Sequence, residues 1–257
     1  MAWNVLVTGG SSGIGYELAK LFARDGHRLV LVARDEQRLS RAADELGSGG
    51  DRPVSIASDL AAPAAPFEIV RELQDAGVAV DVLVNNAGFG LHGPFAEADV
   101  ETLLDLVRVN VLALTCLTRL LLPDMLRRGQ GHVLNVASTA AFYPGPFMAA
   151  YYASKAYVLS LSEGLANELR GTGVNVTALC PPATATGFAA RAGSDRSPLF
   201  RRGVMDPATV AEAGYRGLLA GRTVVIPGLA ARVQAIATRF VPRRVIANRV
   251  RSLHGDA

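Results

Sequence analysis

Thr8-Gly9-Gly10-Ser11-Ser12-Gly13-Ile14-Gly15 is the stretch of the 257-residue sequence that decides its fold. It follows the apolar run WNVLVT (residues 3–8) and precedes a segment of helical period, residues 16–24. Glycines let the backbone turn tightly, and the new helix directs free N–H groups and the positive end of its dipole at the turn. The stretch therefore predicts a pyrophosphate site for a dinucleotide. A ligand-free strand-to-helix turn is the alternative, since the spacing Gly-x3-Gly-x-Gly matches neither GxGxxG nor the P-loop pattern.

Six further apolar runs alternate with helical segments along the chain. Short, almost continuously apolar strands are typical of a sheet that is buried on both faces, and the alternation predicts parallel strands joined by helices. We expect an α/β fold, a doubly wound parallel sheet of Rossmann type with about seven strands flanked by helices, in a single domain spanning residues 1–257. The runs are residues 29–33, 54–57, 82–86, 132–137, 174–180 and 223–227.

The composition excludes several classes of protein. With 50% hydrophobic and 19% charged residues, the chain can bury a core without disulfides or a metal ion. Cys116 and Cys180 lie in apolar runs without CxxC spacing, which argues against a disulfide scaffold or zinc site, so no metal is predicted. The start MAWNVLVTGG lacks the basic region of a signal peptide, and a cytoplasmic location is expected.

The end of the second predicted strand selects the dinucleotide. An acidic residue there typically binds the ribose 2′-hydroxyl of NAD, whereas an arginine accommodates the 2′-phosphate of NADP. The strand ends Val32-Ala33-Arg34-Asp35, and the Arg34 guanidinium can pair with phosphate through two hydrogen bonds. We expect Asp35 to cap the helix that follows. NADP is favoured, NAD is less favoured, and an Arg34 that is merely solvated is the alternative.

A tyrosine and a lysine four residues apart form the candidate catalytic pair. Tyr151 and Lys155 fall on the same face of a predicted helix that runs to about Arg170. An ammonium about 4 Å from a phenol contributes about 4 kcal/mol at an effective dielectric of about 20, enough to lower the tyrosine pKa toward neutrality. Such a tyrosine can exchange a proton with an alcohol or carbonyl oxygen. Ser138, after the fifth strand, lies where it could hydrogen-bond the reacting oxygen.

These residues resemble the short-chain dehydrogenase/reductase (SDR) family over nearly the whole chain. TGGSSGIG (residues 8–15) is similar to the family's TGxxxGxG loop, and Asn85-Asn86-Ala87-Gly88 is similar to its NNAG motif. The resemblance implies that Tyr151 is the catalytic acid/base, that Lys155 lowers its pKa and binds the nicotinamide ribose, and that Ser138 orients the substrate oxygen. It also implies that Asn110 holds a water in a proton relay; an asparagine bonded only to backbone is the alternative.

The resemblance also implies a set of cofactor-binding residues. Asp59 matches a position that contacts adenine, and Thr186 matches a threonine that reaches the nicotinamide amide. Where the family usually has Pro-Gly, this chain has Pro181-Pro182, and the second proline removes an N–H. The cofactor-binding residues are expected to be Gly9, Ser11, Ser12, Gly13, Ile14, Gly15, Arg34, Asp59, Leu60, Asn86, Ala87, Gly88, Tyr151, Lys155, Pro181, Thr184 and Thr186.

The implied reaction is hydride transfer between nicotinamide and a carbonyl or secondary alcohol, with carbonyl reduction as the expected direction. A loop at residues 181–205 is predicted to cover the substrate. Apolar side chains near the site favour an apolar ketone or aldehyde, although core packing would also explain them. They are Phe89, Phe95, Phe142, Phe147, Phe188, Leu199 and Phe200.

The C-terminal segment, residues 229–253, is basic and amphipathic. It carries six arginines and no acidic residue, and Leu229, Val233, Ile236 and Phe240 share one face of a helix broken near Pro242. Packing on its own domain or on a partner subunit of a homodimer or homotetramer is the favoured interpretation. Peripheral contact with an anionic membrane is the alternative. Nucleic-acid binding is not expected, because no recognised module is present.

Two other functions compete with a reductase. A dinucleotide-binding regulator or membrane-tethered scaffold would share the fold without turnover, but it has no need of Ser138, Tyr151 and Lys155 together. A sugar-nucleotide epimerase or dehydratase would share Tyr-x-x-x-Lys but usually has a longer C-terminal domain.

Overall fold

The computed structural model describes residues 2–48, 50–194 and 204–254. Its centre is a sheet of seven parallel strands in the order β3-β2-β1-β4-β5-β6-β7, which confirms the predicted doubly wound fold. All seven predicted strands are present, and the last is shorter than predicted. The strands are β1 (Asn4–Thr8), β2 (Arg28–Ala33), β3 (Val54–Ala57), β4 (Val82–Asn85), β5 (Gly131–Val136), β6 (Val174–Leu179) and β7 (Val224–Val225).

Helices connect the strands and flank the sheet. The first helix begins at Gly13 rather than at residue 16. Short 3-10 turns cover Phe95–Glu97 and Thr139–Phe142. The helices are α1 (Gly13–Arg24), α2 (Glu36–Gly47), α3 (Ala65–Asp75), α4 (Val100–Val107), α5 (Leu114–Arg128), α6 (Ala149–Glu168), α7 (Phe188–Ala192), α8 (Pro207–Leu219), α9 (Leu229–Ala237) and α10 (Arg243–His254).

Apolar side chains cover both faces of the sheet. Helices α1, α2 and α8 pack on one face against Val5 and Val7 of β1. Helices α3 and α5 pack on the other face against Leu6 of β1 and Leu83 of β4. Because neighbouring side chains of a strand point to opposite faces, both sets must be apolar, which explains the nearly unbroken apolar runs of the sequence.

One helical stretch of the described chain, Val100–Arg128, is long and apolar enough to cross a membrane by length and composition. It joins α4 to α5 through a π-helical segment, Arg108–Ala113. Leu117, Leu121 and Met125 of α5 are buried against the sheet. This packing is that of a core helix.

The strand order reverses between β1 and β4. Chains leaving the carboxyl ends of these strands turn to opposite sides, which opens a crevice where such folds bind ligands. The segment predicted as a substrate loop, residues 181–205, begins beside this crevice. Its described parts include α7 and a bridge between Thr184 and Met205 that draws the two ends of the segment together. Leu199 and Phe200 lie outside the described residues.

Candidate active site

A cleft of about 390 Å³ runs along the carboxyl edge of the sheet. Ser138, Tyr151 and Lys155 line it, whereas Asn110 and Gly15 lie behind its lining. The other predicted cofactor residues also line it: Gly9, Ser11, Ser12, Gly13, Ile14, Arg34, Asp59, Leu60, Asn86, Ala87, Gly88, Pro181, Thr184 and Thr186.

The glycine loop presents its backbone to this cleft. Gly9 and Gly13 have φ values of +65° and +58°, a left-handed conformation that other residues adopt at a cost. Ser12 precedes α1, but its side chain makes no capping hydrogen bond to the helix. The first N–H groups of α1 therefore have no side-chain acceptor, as an anion-binding helix start requires.

Asn86 and Thr8 anchor the glycine loop to β4. The Asn86 amide donates to the carbonyls of Thr8 and Gly9 at 3.0 and 3.1 Å. The Thr8 hydroxyl accepts from the N–H groups of Asn86 and Ala87 at 3.0 and 3.1 Å. A Cβ on Gly15 would lie 2.3 Å from the Asn86 amide nitrogen. Gly15 is therefore needed to let Asn86 reach the loop, and Thr8 is a contributor that the motif analysis missed.

Three arginines gather at the end of the cleft beside β2. Arg34, Arg38 and Arg191 all line it, and only Arg34 was predicted. Burial lowers the pKa of Arg191, and the charges of Arg34 and Arg38 lower it further, so the guanidinium groups repel one another. The Arg34 Nη1 lies 3.9 Å from the Asp59 Oδ2, and both side chains are more than half exposed. One weak ion pair leaves this end with a positive charge that an anion would neutralise.

Asp35 lies beside the cleft at the start of α2. Its carboxylate accepts a hydrogen bond from the Arg38 backbone N–H at 3.0 Å and caps α2. The predicted capping role is thus confirmed. Arg38 follows Arg34 by four residues at the helix start, and Arg191 comes from α7, far away in the sequence.

Tyr151 and Ser138 face each other at the other end of the cleft. Burial raises the pKa of Tyr151 to about 12, and the hydrogen bond with Ser138 lowers it in part. The prediction that the pKa of Tyr151 falls toward neutrality is therefore wrong for the chain's own residues. The prediction weighed only the charge of Lys155, whereas burial of the phenol is the largest influence on this pKa.

Lys155 is buried in the wall of the cleft, with 5% of its surface exposed. Its ammonium donates to the carbonyl oxygen of Val136 at 2.8 Å. Burial lowers the pKa of Lys155 to about 8. A Cβ on Gly88 would come within 3.4 Å of the lysine nitrogen, so the glycine keeps the space before the ammonium open.

Asn110 lies in the π-helical segment behind Lys155. Its amide oxygen accepts from the Phe89 N–H at 3.0 Å, and its amide nitrogen donates to the Phe89 carbonyl at 2.9 Å and to the Ser154 hydroxyl at 3.1 Å. Single π turns inside α-helices often occur at functional sites. All three hydrogen bonds of Asn110 thus go to the Phe89 backbone or to the Ser154 hydroxyl. Its role in holding a water stays a prediction.

The apolar wall of the cleft differs in part from the predicted one. Phe89 and Phe188 line it, and the ring of Phe188 lies 5.1 Å from that of Tyr151. Phe142 instead packs in a cluster behind the site. Phe95 and Phe147 line a neighbouring pocket of about 290 Å³. The wall also includes three residues that were not predicted: Tyr143, Met148 and Tyr152.

A buried hydrogen bond ties the end of the chain to this wall. The Tyr152 hydroxyl lies 2.8 Å from His254 Nε2, and the two residues are 102 positions apart. His254 and Val250 bury α10 against the wall, and Arg251 lies over the ring of Phe147 at 5.4 Å. The sequence offers no periodic signal for such a distant pair, so this contact was missed.

These residues fit an elongated dinucleotide. The cleft is long, its loop includes two glycines in a left-handed conformation, and a positive cluster lies at the end away from Tyr151. At Gly13, a Cβ would come within 3.1 Å of Thr186, so the chain after β6 closely overlies the loop. Among the residues that the structure covers, no group of three or more His, Cys, Asp or Glu side chains could hold a metal ion.

Comparisons with known proteins agree with this geometry. Residues 3–197 match the family model described as short chain dehydrogenase. A short-chain dehydrogenase from Sphingobium yanoikuyae, solved in complex with NADPH, is 36% identical, covers 98% of each chain and has a TM-score of 0.83. The bulky-bulky ketone specific alcohol dehydrogenase from Comamonas testosteroni is 32% identical over 99% of this chain and 97% of its own, with a TM-score of 0.79.

A third similar structure carries the other nicotinamide cofactor. It is a short chain dehydrogenase/reductase from Burkholderia phymatum in complex with NAD, 27% identical over 91% of this chain and 92% of its own, with a TM-score of 0.82. The fold and cleft define an oxidoreductase of Rossmann type. The chain belongs to the short-chain dehydrogenase family.

The bond between Tyr152 and His254 should contribute to stability. His254→Leu leaves the buried Tyr152 hydroxyl unpaired, which costs about 1–3 kcal/mol of unfolding free energy. Tyr152→Phe should cost a similar amount, and the double variant should cost clearly less than the sum, because neither polar group then remains. Urea unfolding of the four proteins measures this coupling. Strict additivity would show that the contact contributes nothing.

The stability contribution of His254 should depend on pH. Burial chiefly, and then the charge of His92, lowers the pKa of His254 from 6.5 to about 4. Between these values the unfolded chain binds a proton that the folded chain excludes, so the free energy of unfolding falls on acidification. Urea unfolding at neutral pH and inside this window should show a smaller acid loss for His254→Leu than for the unsubstituted protein. Equal losses would contradict the assignment.

Proposed function

We propose that the protein is an NADP-dependent reductase that converts apolar ketones or aldehydes to alcohols. The observation that carries the proposal is the arrangement of the cleft: a buried Tyr151 beside Ser138 and Lys155 at one end, and Arg34, Arg38 and Arg191 at the other. A reductase needs a proton donor at the first end and a phosphate site at the second.

The preference for NADP rests on charge. A 2′-phosphate carries about two negative charges and can accept hydrogen bonds from several guanidinium groups. A bound phosphate would reduce the repulsion among the three arginines, whereas the ribose 2′-hydroxyl of NAD would leave their positive charges uncompensated. The similar proteins include one complex with NADPH and one with NAD, so the family alone does not select the cofactor.

The chain's own residues supply binding, orientation and a proton. A bound nicotinamide supplies the hydride that reduces the carbonyl carbon. The Ser138 hydroxyl holds the substrate oxygen, and the Tyr151 hydroxyl donates its proton to that oxygen. The Lys155 ammonium, buried nearby, stabilises the negative charge that this leaves on the phenol.

The high pKa of Tyr151 suits a proton donor. With a pKa of about 12 the phenol is protonated at neutral pH, the state that a proton donor needs. The opposite reaction begins with proton removal from an alcohol and needs the phenolate. A phenolate is scarce in this buried site until an additional positive charge stabilises it.

The substrate class follows from the wall around Tyr151. Phe89, Tyr143, Met148, Tyr152 and Phe188 form a mostly apolar surface that would bury apolar groups on either side of a carbonyl. Ser138 and Tyr151 suffice to bind the carbonyl oxygen. The Comamonas testosteroni protein similar to this chain is described as specific for bulky-bulky ketones, which supports the same class here.

The protein is further proposed to act in the cytoplasm as a homodimer or homotetramer. Leu104, Val107 and Leu112 lie along the stretch from α4 to α5 with 39–53% of their surface exposed. Apolar side chains at successive turns of one helical stretch would be covered by a partner subunit.

Replacing the arginines should change the cofactor preference. Arg34→Ala with Arg191→Ala should weaken NADPH binding by roughly a hundredfold or more, since each arginine removed supplies a charge-assisted hydrogen bond worth about 1.5–3 kcal/mol. NADH binding should change little. Arg41→Ala, on the outer side of α2, is the matched control. Fluorescence titration with both cofactors measures the effect, and an equal loss for NADPH and NADH would refute the phosphate site.

Removing one hydroxyl should separate catalysis from binding. Tyr151→Phe should lower kcat for ketone reduction by roughly a hundredfold to ten-thousandfold, because the proton donor is lost, while NADPH binding is retained. Tyr157→Phe, on the same helix, is the control. NADPH oxidation with ketones of graded size measures turnover. An active Tyr151→Phe enzyme would place the chemistry elsewhere, and no turnover in any variant would favour a binding protein without catalysis.

A further inference from the structure

The C-terminal helices expose five large apolar side chains, here called the stripe: Leu229, Val233, Ile236 and Phe240 at helical spacing along and just after α9, and Val245 on α10. Leu229 and Phe240 are 78% and 83% exposed, and the other three are 56–58% exposed. The opposite side of α9 packs on the protein through Ala231 and Ala235. The segment thus packs on its own domain through these small residues, as the favoured interpretation expected, while the stripe itself stays exposed.

The surroundings of the stripe are entirely basic. The segment from Leu229 to His254 contains six arginines and no aspartate or glutamate. Arg239, Arg243, Arg244 and Arg249 are exposed, and none of them forms an ion pair with a carboxylate of the described residues. A partner of this surface must bury apolar side chains and also carry negative charge.

We propose that this stripe and its arginines dock on an anionic lipid bilayer. An amphipathic helix lying at a bilayer surface buries its apolar side chains among acyl chains and keeps its arginines beside lipid phosphates. Each arginine near an anionic surface strengthens binding, and the effect weakens with salt.

Charge disfavours the other occupants. A two-fold contact between copies of this chain would set the same surface against itself, and arginines would then face arginines. A nucleic acid would satisfy the arginines but would leave Leu229 and Phe240 in water, because phosphate contacts bury no apolar surface. Of these three occupants, the bilayer satisfies both properties of the surface.

The docking helices also contact the substrate end of the cleft. Helix α9 packs on the 3-10 turn Thr139–Phe142, which directly follows Ser138. Helix α10 packs on Tyr152 through Val250 and His254. Docking would therefore bring the apolar wall of the cleft close to the lipid, where apolar carbonyl compounds accumulate. The docking itself does not depend on the proposed reduction.

Vesicle co-sedimentation of the full chain tests the proposal. We expect binding to vesicles of equal parts phosphatidylcholine and phosphatidylglycerol, weakening with added salt, and little binding to phosphatidylcholine alone. Arg239→Gln, Arg243→Gln and Arg244→Gln together should weaken binding by about fivefold per arginine. Phe240→Ser should weaken it by about tenfold or more, since a buried phenyl ring is lost from the bilayer.

Matched controls keep the test specific. Phe67 on α3 is 55% exposed, so Phe67→Ser removes an exposed phenylalanine elsewhere. Arg119→Gln, Arg170→Gln and Arg222→Gln remove three exposed arginines from other surfaces. Both control proteins should bind like the unsubstituted chain, and far-ultraviolet circular dichroism should show that every variant folds.

Three results would overturn the proposal. The first is equal binding to neutral and anionic vesicles, or none to either. The second is a vesicle affinity that the control substitutions reduce as much as the test substitutions. The third is a lipid-free dimer that Phe240→Ser converts to a monomer, detected by light scattering, because a second copy of the chain would then cover the stripe.

Discussion

The hydrogen bonds from Asn86 to the carbonyls of Thr8 and Gly9 hold the site together. They join the chain leaving β1 to the chain leaving β4, the two strands between which the sheet order reverses. Together with the Thr8 hydroxyl, which accepts from the N–H groups of Asn86 and Ala87, the Asn86 side chain holds the glycine loop against β4, and the absence of a side chain at Gly15 leaves room for it. These contacts position the N–H groups at the start of α1 and the floor of the cleft.

The fold was predictable because its physical signals are local. Apolar runs of strand length, separated by helical segments, can bury both faces of a sheet in very few ways, and the glycine loop marks where the first helix begins. Tyr151, Lys155 and Ser138 were also predictable, since a fixed spacing on one helix and the end of one strand place them at the same edge. The pKa of Tyr151 was not, because it depends on burial that spacing does not reveal.

Contacts between distant parts of the chain escaped the sequence analysis. Arg191 joins Arg34 only because α7 folds back over the cleft, and His254 reaches Tyr152 only because α10 packs beside the catalytic helix. Neither residue belongs to a motif. The aromatic wall was misassigned for the same reason, since Phe142 and Phe147 lie near Ser138 in sequence, but Phe142 packs in a cluster behind the site and Phe147 lines the neighbouring pocket. In loops, the direction of a side chain is set by its packing against distant residues, and no periodic pattern in the sequence indicates that direction.

The buried contact between Tyr152 and His254 joins a residue inside the stretch matched by the family model to one beyond it. The residues proposed for proton transfer and cofactor binding lie within the stretch matched by the family model, residues 3–197, whereas α10 lies beyond it. Part of the wall beside Tyr151 is thus supported by a tail outside that stretch. Under the proposed function, substitutions in that tail would change the fit of the substrate through Tyr152 while leaving Ser138, Tyr151 and Lys155 in place.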